Sequence, residues 1–275
     1  MRMKNNRKPI TIILTITLLM TASALLIWPS LYEHQCKTRV YEDMESTLSS
    51  IESSNIRIIA VSGSEEEGFG YSAGASGVVF EKDNDTYYAM TAYHVVKESR
   101  AKYFIVATAL TPTYDEYKKQ KGITGHIPQK DYYDAMPLAS VEYENEQSDL
   151  AIISFRFSED LDAAEVAKDN PKKGDKIVAV GNPSNIEGHF IQTYGKILSE
   201  EEEEFRTNDG QLPNMVLKHS AYESPGSSGG AVFSEKMELV GINVGGGTDL
   251  FGRFRYGVMI PAEQIHRCIS DWREQ

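Results

Sequence analysis

Three places in this sequence could concentrate side-chain chemistry: a serine among glycines, a histidine behind one strand and an aspartate ahead of another. The first is Ser224-Pro-Gly-Ser-Ser-Gly-Gly-Ala-Val-Phe233. With so little side-chain bulk, a turn can bring its backbone close to another molecule and aim successive N–H groups at one point. Acyl transfer needs such a point, because its tetrahedral intermediate places negative charge on the former carbonyl oxygen. Ser228, in the middle of the turn, is the candidate nucleophile. Taken alone, the run also reads as a plain tight turn. The second place is Ala89-Met-Thr-Ala-Tyr-His-Val-Val96, where a strand gives way to a short helical turn at His94. Of the other histidines, His34, His126 and His266 fall in a stalk, a loop insertion and a last helix, and His189 and His219 are the remaining two. The third place is Ser148-Asp-Leu-Ala-Ile-Ile-Ser154, with Asp149 directly before an apolar strand. An aspartate there can simply open a strand. It can also accept the second ring N–H of a histidine, fixing the tautomer and steadying the imidazolium.

These residues need a frame. From Asn55 the chain reads as short strands divided by turns. One set is Ile56–Ser62, Ala75–Glu81, Tyr87–Ala92, Tyr103–Ala109, Ala135–Tyr143 and Leu150–Phe155. A second set is Lys176–Gly181, Phe190–Ser199, Met215–Ser220, Gly230–Phe233, Leu239–Val244 and Phe254–Ile260. The polar stretch 158–173 separates them. Two closed antiparallel barrels of six strands fit this order, since closure removes exposed edges. The expected class is therefore all-β, with barrel one over about 55–157 and barrel two over about 174–260. A helix at 261–272 is opened by Pro261 and carries Ile265, Cys268 and Ile269 on one face. Thr111–Tyr133 lacks apolar periodicity and reads as a loop insertion. Glu65–Glu67 and Glu200–Glu204 read as solvated hairpin tips, because metal ligands must converge rather than follow one another. Gly68, Gly70, Gly74 and Gly77 precede a strand rather than a helix, so they read as turn residues and not as a nucleotide loop. Cys36 and Cys268 read as two unpaired thiols.

Together and in this order, the three motifs resemble those of the chymotrypsin-like serine proteases. Thr91-Ala-Tyr-His94 resembles the family's Thr-Ala-x-His, Ser148-Asp-Leu-Ala151 its Asp-Leu/Ile-Ala, and Gly226-Ser-Ser-Gly-Gly230 its Gly-x-Ser-Gly-Gly. Val178-Ala-Val-Gly-Asn-Pro183, Leu239-Val-Gly-Ile-Asn243 and Gly257-Val-Met-Ile-Pro261 resemble segments of the bacterial Deg (HtrA) branch. The resemblance spans about residues 55–270. It implies a serine endopeptidase in which Ser228 is the nucleophile, His94 the general base and then acid, and Asp149 the orienting carboxylate. It implies an oxyanion hole made by the N–H groups of Gly226 and Ser228. It implies that Tyr222 lies at the base of the pocket for the residue before the scissile bond, with Asn243, Val244 and Gly245 along the pocket wall and the substrate-pairing edge. Tyr222 in place of an aspartate argues against a preference for Lys or Arg and for small or medium apolar side chains. Two departures stand out: Ser227 replaces the family's Asn or Asp before the nucleophile, and the sequence stops at Gln275, where Deg proteins usually continue into a PDZ domain. The resemblance implies no metal and no organic cofactor.

Composition bounds the partners. The formal net charge is −12, and the first 30 residues hold four basic groups and no acidic one. So acidic a body repels phosphate backbones, which excludes a nucleic-acid partner. From Ile10 to Trp28 the sequence has no charged residue over 19 positions, enough helix nearly to cross a bilayer core of roughly 30 Å. Its basic flank places the rest of the chain on the extracytoplasmic side. Residues 1–30 therefore read as a retained signal-anchor and transmembrane segment of the cell membrane, against the alternative of a signal peptide cleaved after Ala22-Ser23-Ala24. Residues 31–54 read as a helical stalk loosened at its end by Ser49, Ser50, Ser53 and Ser54, and 55–275 as the protease domain. The expected partners are a protein or peptide substrate and the membrane, with a homo-oligomer left open. The alternative function is a latent or inactive binding protein on a protease fold.

Overall fold

A computed structural model describes residues 48–275 apart from 98–100, 126–127, 185–188 and 207–212. The expected membrane segment, most of the stalk, Cys36, His34 and His126 lie outside the described residues. Among the described residues, no helix is long and apolar enough to cross a membrane.

The chain opens with α1 (Leu48–Ser54), then β1 (Asn55–Ser64), β2 (Gly68–Tyr71), β3 (Ala75–Asp83), β4 (Thr86–Ala92) and the single turn α2 (Tyr93–Val96). There follow β5 (Tyr103–Thr108), α3 (Tyr114–Gln120), α4 (Gln129–Tyr133), β6 (Leu138–Asn145) and β7 (Leu150–Arg156). The second half holds β8 (Lys176–Gly181), β9 (Ile191–Lys196), β10 (Glu203–Phe205), β11 (Asn214–His219), β12 (Ala231–Ser234), β13 (Leu239–Thr248), β14 (Phe254–Pro261) and α5 (Ala262–Arg273). All twelve expected strands form, shifted by a few residues at their ends. β2 and β10 are additional.

The first sheet runs β2-β1-β3-β4-β7-β6-β5, and pairing of β1 with β5 closes six of its strands into a barrel. Ile56, Ile58, Val79, Tyr87, Val106 and Ile153 fill it, the inward half of each alternating strand. The second sheet corrects the expectation of a second closed barrel. It runs β10-β11-β14-β13-β12-β8-β9 and remains a half-barrel. The reason lies on the free edge of β11, where Asn214 to Val216 are paired with β10. Only the far end is left for the residue that follows β9, as the isolated bridge from Ile197 to His219.

A shared core lies between the sheets, joining Val78, Met90 and Leu150 of the first to Val178, Ile242 and Val258 of the second. Helix α5 closes it with Ile265, Cys268 and Ile269. The ring of Trp272 then meets Tyr88 at 4.9 Å and Phe80 at 6.0 Å, fastening the end of the second half to the first barrel. Pro261 stands at the N-cap position of α5 with no side-chain capping bond.

Four smaller expectations change. The segment 111–133 is not one loop: Thr113 and Glu116 form a reciprocal capping box that starts α3, and α4 follows. Gly68, Gly70 and Gly77 lie in strands rather than turns, and a side chain at Gly77 would press on Ile56 and Ile58. The end of the stalk is not loose, since Ile51 is 2 % exposed and belongs to the shared core. The glutamates at 200–204 lie partly in β10 and are engaged: Glu200 pairs with Lys173 at 3.0 Å and Glu203 with Lys218 at 2.6 Å.

Candidate active site

Strand register brings the histidine and the aspartate together. β4 and β7 pair antiparallel with Ala92 opposite Leu150, so the residue leaving β4 meets the one entering β7. Tyr93 N donates to the Asp149 carbonyl at 3.1 Å. The first turn of α2 has unpaired N–H groups, and the Asp149 carboxylate takes one of them, His94 N, at 2.9 Å through Oδ1. Its Oδ2 lies 2.8 Å from His94 Nδ1. One carboxylate therefore holds both the backbone and the ring of His94. Asp149 reaches this position through a left-handed backbone, φ 51, and is 1 % exposed. The bond on Nδ1 keeps the proton there and leaves Nε2 as the acceptor. Among the described residues, no other histidine is paired with a carboxylate. His219 bonds Asn243 Oδ1 at 3.0 Å, His266 bonds the Ala167 carbonyl at 3.0 Å, and His189 lies against Arg57.

The serine turn is shaped by two glycines with positive φ, Gly226 at 100 and Gly229 at 81. Ser227 N donates to the Ser224 carbonyl at 3.0 Å and Gly230 N to the Ser227 carbonyl at 2.9 Å. The Pro225 carbonyl accepts from Ser184 N at 2.8 Å. In a trans peptide the N–H points opposite to its carbonyl. The carbonyls of Pro225 and Ser227 are thus each held within the protein, and the N–H groups on the far side of those two peptides belong to Gly226 and Ser228. Neither has a hydrogen-bond partner among the described residues.

Sequence reasoning missed the residue that ties this turn to the first barrel. Ser76, on β3 and 1 % exposed, donates from Oγ to the Gly226 carbonyl at 2.8 Å and from N to the Ser228 carbonyl at 2.9 Å. Its Oγ also accepts from Asn182 N at 2.9 Å. A lone serine inside a strand carries no sequence signal for such a task.

Ser228 borders two clefts. One, of about 300 Å³, also has His94, Gly226, Ala75 and Phe104 on its walls. The other, of about 380 Å³, has Tyr222, Glu223, Gly245 and Phe254. His94 and Ser228 thus face one space, with no hydrogen bond between Nε2 and the hydroxyl among the described residues. Apo sites are often loose at this bond. Tyr222 leans on Phe254 with ring centres 5.1 Å apart. Asn243 and Val244 are buried behind the wall, which Gly245 presents. Glu223, also missed, is 9 % exposed. Burial holds its carboxyl well above the usual range, against a lowering hydrogen bond with Ser227. Burial likewise pushes His219, behind the same wall, down to about 4. No group of three His, Cys, Asp or Glu among the described residues is arranged to hold a metal ion.

Comparison with known proteins agrees with this fold. A family described as the trypsin-like peptidase domain matches residues 75–242. A serine protease HtrA-like of Staphylococcus aureus is 24 % identical over 203 residues, covering 71 % of this chain and 23 % of its own. The serine protease Do-like HtrB of Bacillus subtilis is 27 % identical over 212 residues, covering 74 % of this chain and 40 % of its own. The chain thus spans well under half the length of these curated relatives. Among solved structures, the HtrA-type protease AlgW with tripeptide superposes with a TM-score of 0.58 at 20 % identity, over 82 % of this chain and 62 % of that one. The Rv3671c protease in its inactive form superposes with a TM-score of 0.56 at 18 % identity, over 82 % and 91 %.

Proposed function

We infer the activity from one premise: the chain belongs to the trypsin-like peptidase family. It is a serine endopeptidase of the HtrA type, and Ser228, His94 and Asp149 form its catalytic triad. The observation that carries the triad is the doubly bonded His94–Asp149 pair facing the same cleft as Ser228.

In this reading the substrate carbonyl enters between the two clefts. Its arrival brings the Ser228 hydroxyl onto His94 Nε2, which takes the proton as Oγ attacks the carbonyl carbon. Asp149 remains ionised and steadies the imidazolium. The oxyanion accepts hydrogen bonds from Gly226 N and Ser228 N, each such donor contributing on the order of a hundredfold or more in rate. His94 then returns the proton to the leaving amine, and water repeats the sequence on the acyl-enzyme. The basic N-terminus and the uncharged stretch Ile10–Trp28 favour exported or membrane-proximal proteins as substrates. Mass spectrometry of the mature N-terminus checks that placement, and a start at Leu25 would remove the anchor.

The unmade bond between His94 and Ser228 favours one second reading, a latent protease-fold binding protein. A fluorophosphonate probe separates the two. Labelling of the wild type but not of Ser228→Ala supports the enzyme. Absence of labelling with and without peptide present supports the binding protein.

A further inference from the structure

The larger cleft beside Ser228 is lined by a carboxylic acid, Glu223, that the triad does not use. Glu223 lines it together with Tyr222, Phe254, Gly245 and Gly246. Among the described residues, no cation lines the cleft. The groups facing Glu223 from the packed elements are uncharged: the Ser227 hydroxyl from the turn, His219 from β11, and the Gly257 backbone from β14. Burial raises the carboxyl's pKa and the Ser227 hydroxyl lowers it, and no charged partner stands against it among the described residues. A carboxyl so placed lacks its countercharge. The two aromatic faces beside it suit the alkyl stem and the charged head of a long basic side chain.

We propose that Glu223 makes this an enzyme that cleaves after Lys or Arg, the substrate's own cation completing the pocket. This rests on the proposed function in one respect, that the cleft beside Ser228 receives the residue before the scissile bond. It reverses the preference that Tyr222 alone suggests, because the ring forms a wall with Phe254 and the neighbouring carboxyl supplies the charge. Where Glu223 holds its proton, the exchange balances: the ammonium or guanidinium enters, the carboxyl releases one proton to solvent, and an ion pair remains in the pocket. Basic substrates therefore lose ground as pH falls, relative to apolar ones.

The test uses benzamidine, a flat cation, titrated calorimetrically into the full chain carrying Ser228→Ala, in buffers of different ionisation enthalpy. Saturable binding with proton release that increases at lower pH is expected, weakened at least tenfold when Glu223→Gln is added. Binding indifferent to Glu223→Gln, or no binding, overturns the proposal, and neither outcome depends on turnover. On the wild type, a peptide library should show kcat/KM at least tenfold higher after Lys or Arg than after Leu or Gln. A probe-reactive protein with the opposite order loses this proposal and keeps the protease reading. A protein that binds benzamidine as stated but never reacts with the probe keeps the cation-binding pocket and loses the protease reading.

Discussion

Replacing Ser76 by alanine tests whether the site depends on a brace between its two halves. The hydroxyl donates to Gly226 and accepts from Asn182 N. Asn182 is 5 % exposed, so its N–H would be left without an acceptor. An orphaned buried donor costs about 1–3 kcal/mol, and for a domain of this size that lowers Tm by about 2–4 °C per kcal/mol. A fall of roughly 4–8 °C is expected at the middle of that range. Freed from its tether, Gly226 would also hold its N–H less steadily. Losing a whole oxyanion donor costs about a hundredfold, so kcat should fall by about tenfold to a hundredfold while KM moves little. Calorimetric melting and steady-state hydrolysis read the two effects. A melting point within about 1 °C of wild type together with an unchanged kcat would refute the brace.

Gly229→Ala should abolish probe labelling, because its Cβ would lie 2.1 Å from the Ser76 carbonyl oxygen and 2.2 Å from Thr91 Oγ1 on a backbone of positive φ. Asp149→Asn should lower kcat by about 10³–10⁴ with little change in melting, as the imidazole loses its tautomer. Stability should fall away on both sides of a pH maximum. His219 titrates near 6.5 when unfolded and near about 4 when folded, so its contribution is complete above 6.5 and is lost towards pH 4, up to about 3 kcal/mol. Glu223 works in the opposite sense: its raised value favours the fold below 4.5, and that contribution is lost as pH rises through the raised value. Denaturant titrations across pH should show His219→Gln flattening the acid limb and Glu223→Gln the alkaline one. Hydrolysis by a serine triad should persist in EDTA.

The parts of the site legible in the sequence were those with local signatures. His94 follows a strand end, Asp149 precedes a strand, and Ser228 sits among small residues, so each leaves a mark within ten positions. The strands were legible by alternation, but β2 and β10 were too short and too rich in glycine or glutamate to show it. The capping box at Thr113 and Glu116 was present in the sequence, though no apolar stripe drew notice to α3. Whether the second sheet closes depends on which strand occupies the edge of β11, a long-range competition invisible to a local pattern. Ser76 and Glu223 escaped for the same reason. Each is a single polar residue whose role is set by what the other half of the molecule brings to it.

Helix α1 carries a practical consequence. Ile51 plugs the shared core, Ser53 Oγ accepts from Asp162 N at 2.9 Å, and Glu52 accepts from Gln192 at 3.0 Å. The packed unit therefore includes α1. A recombinant fragment trimmed to Asn55 would unstopper the seam between the halves, and anything joined ahead of Leu48 gains a fixed exit point on the body.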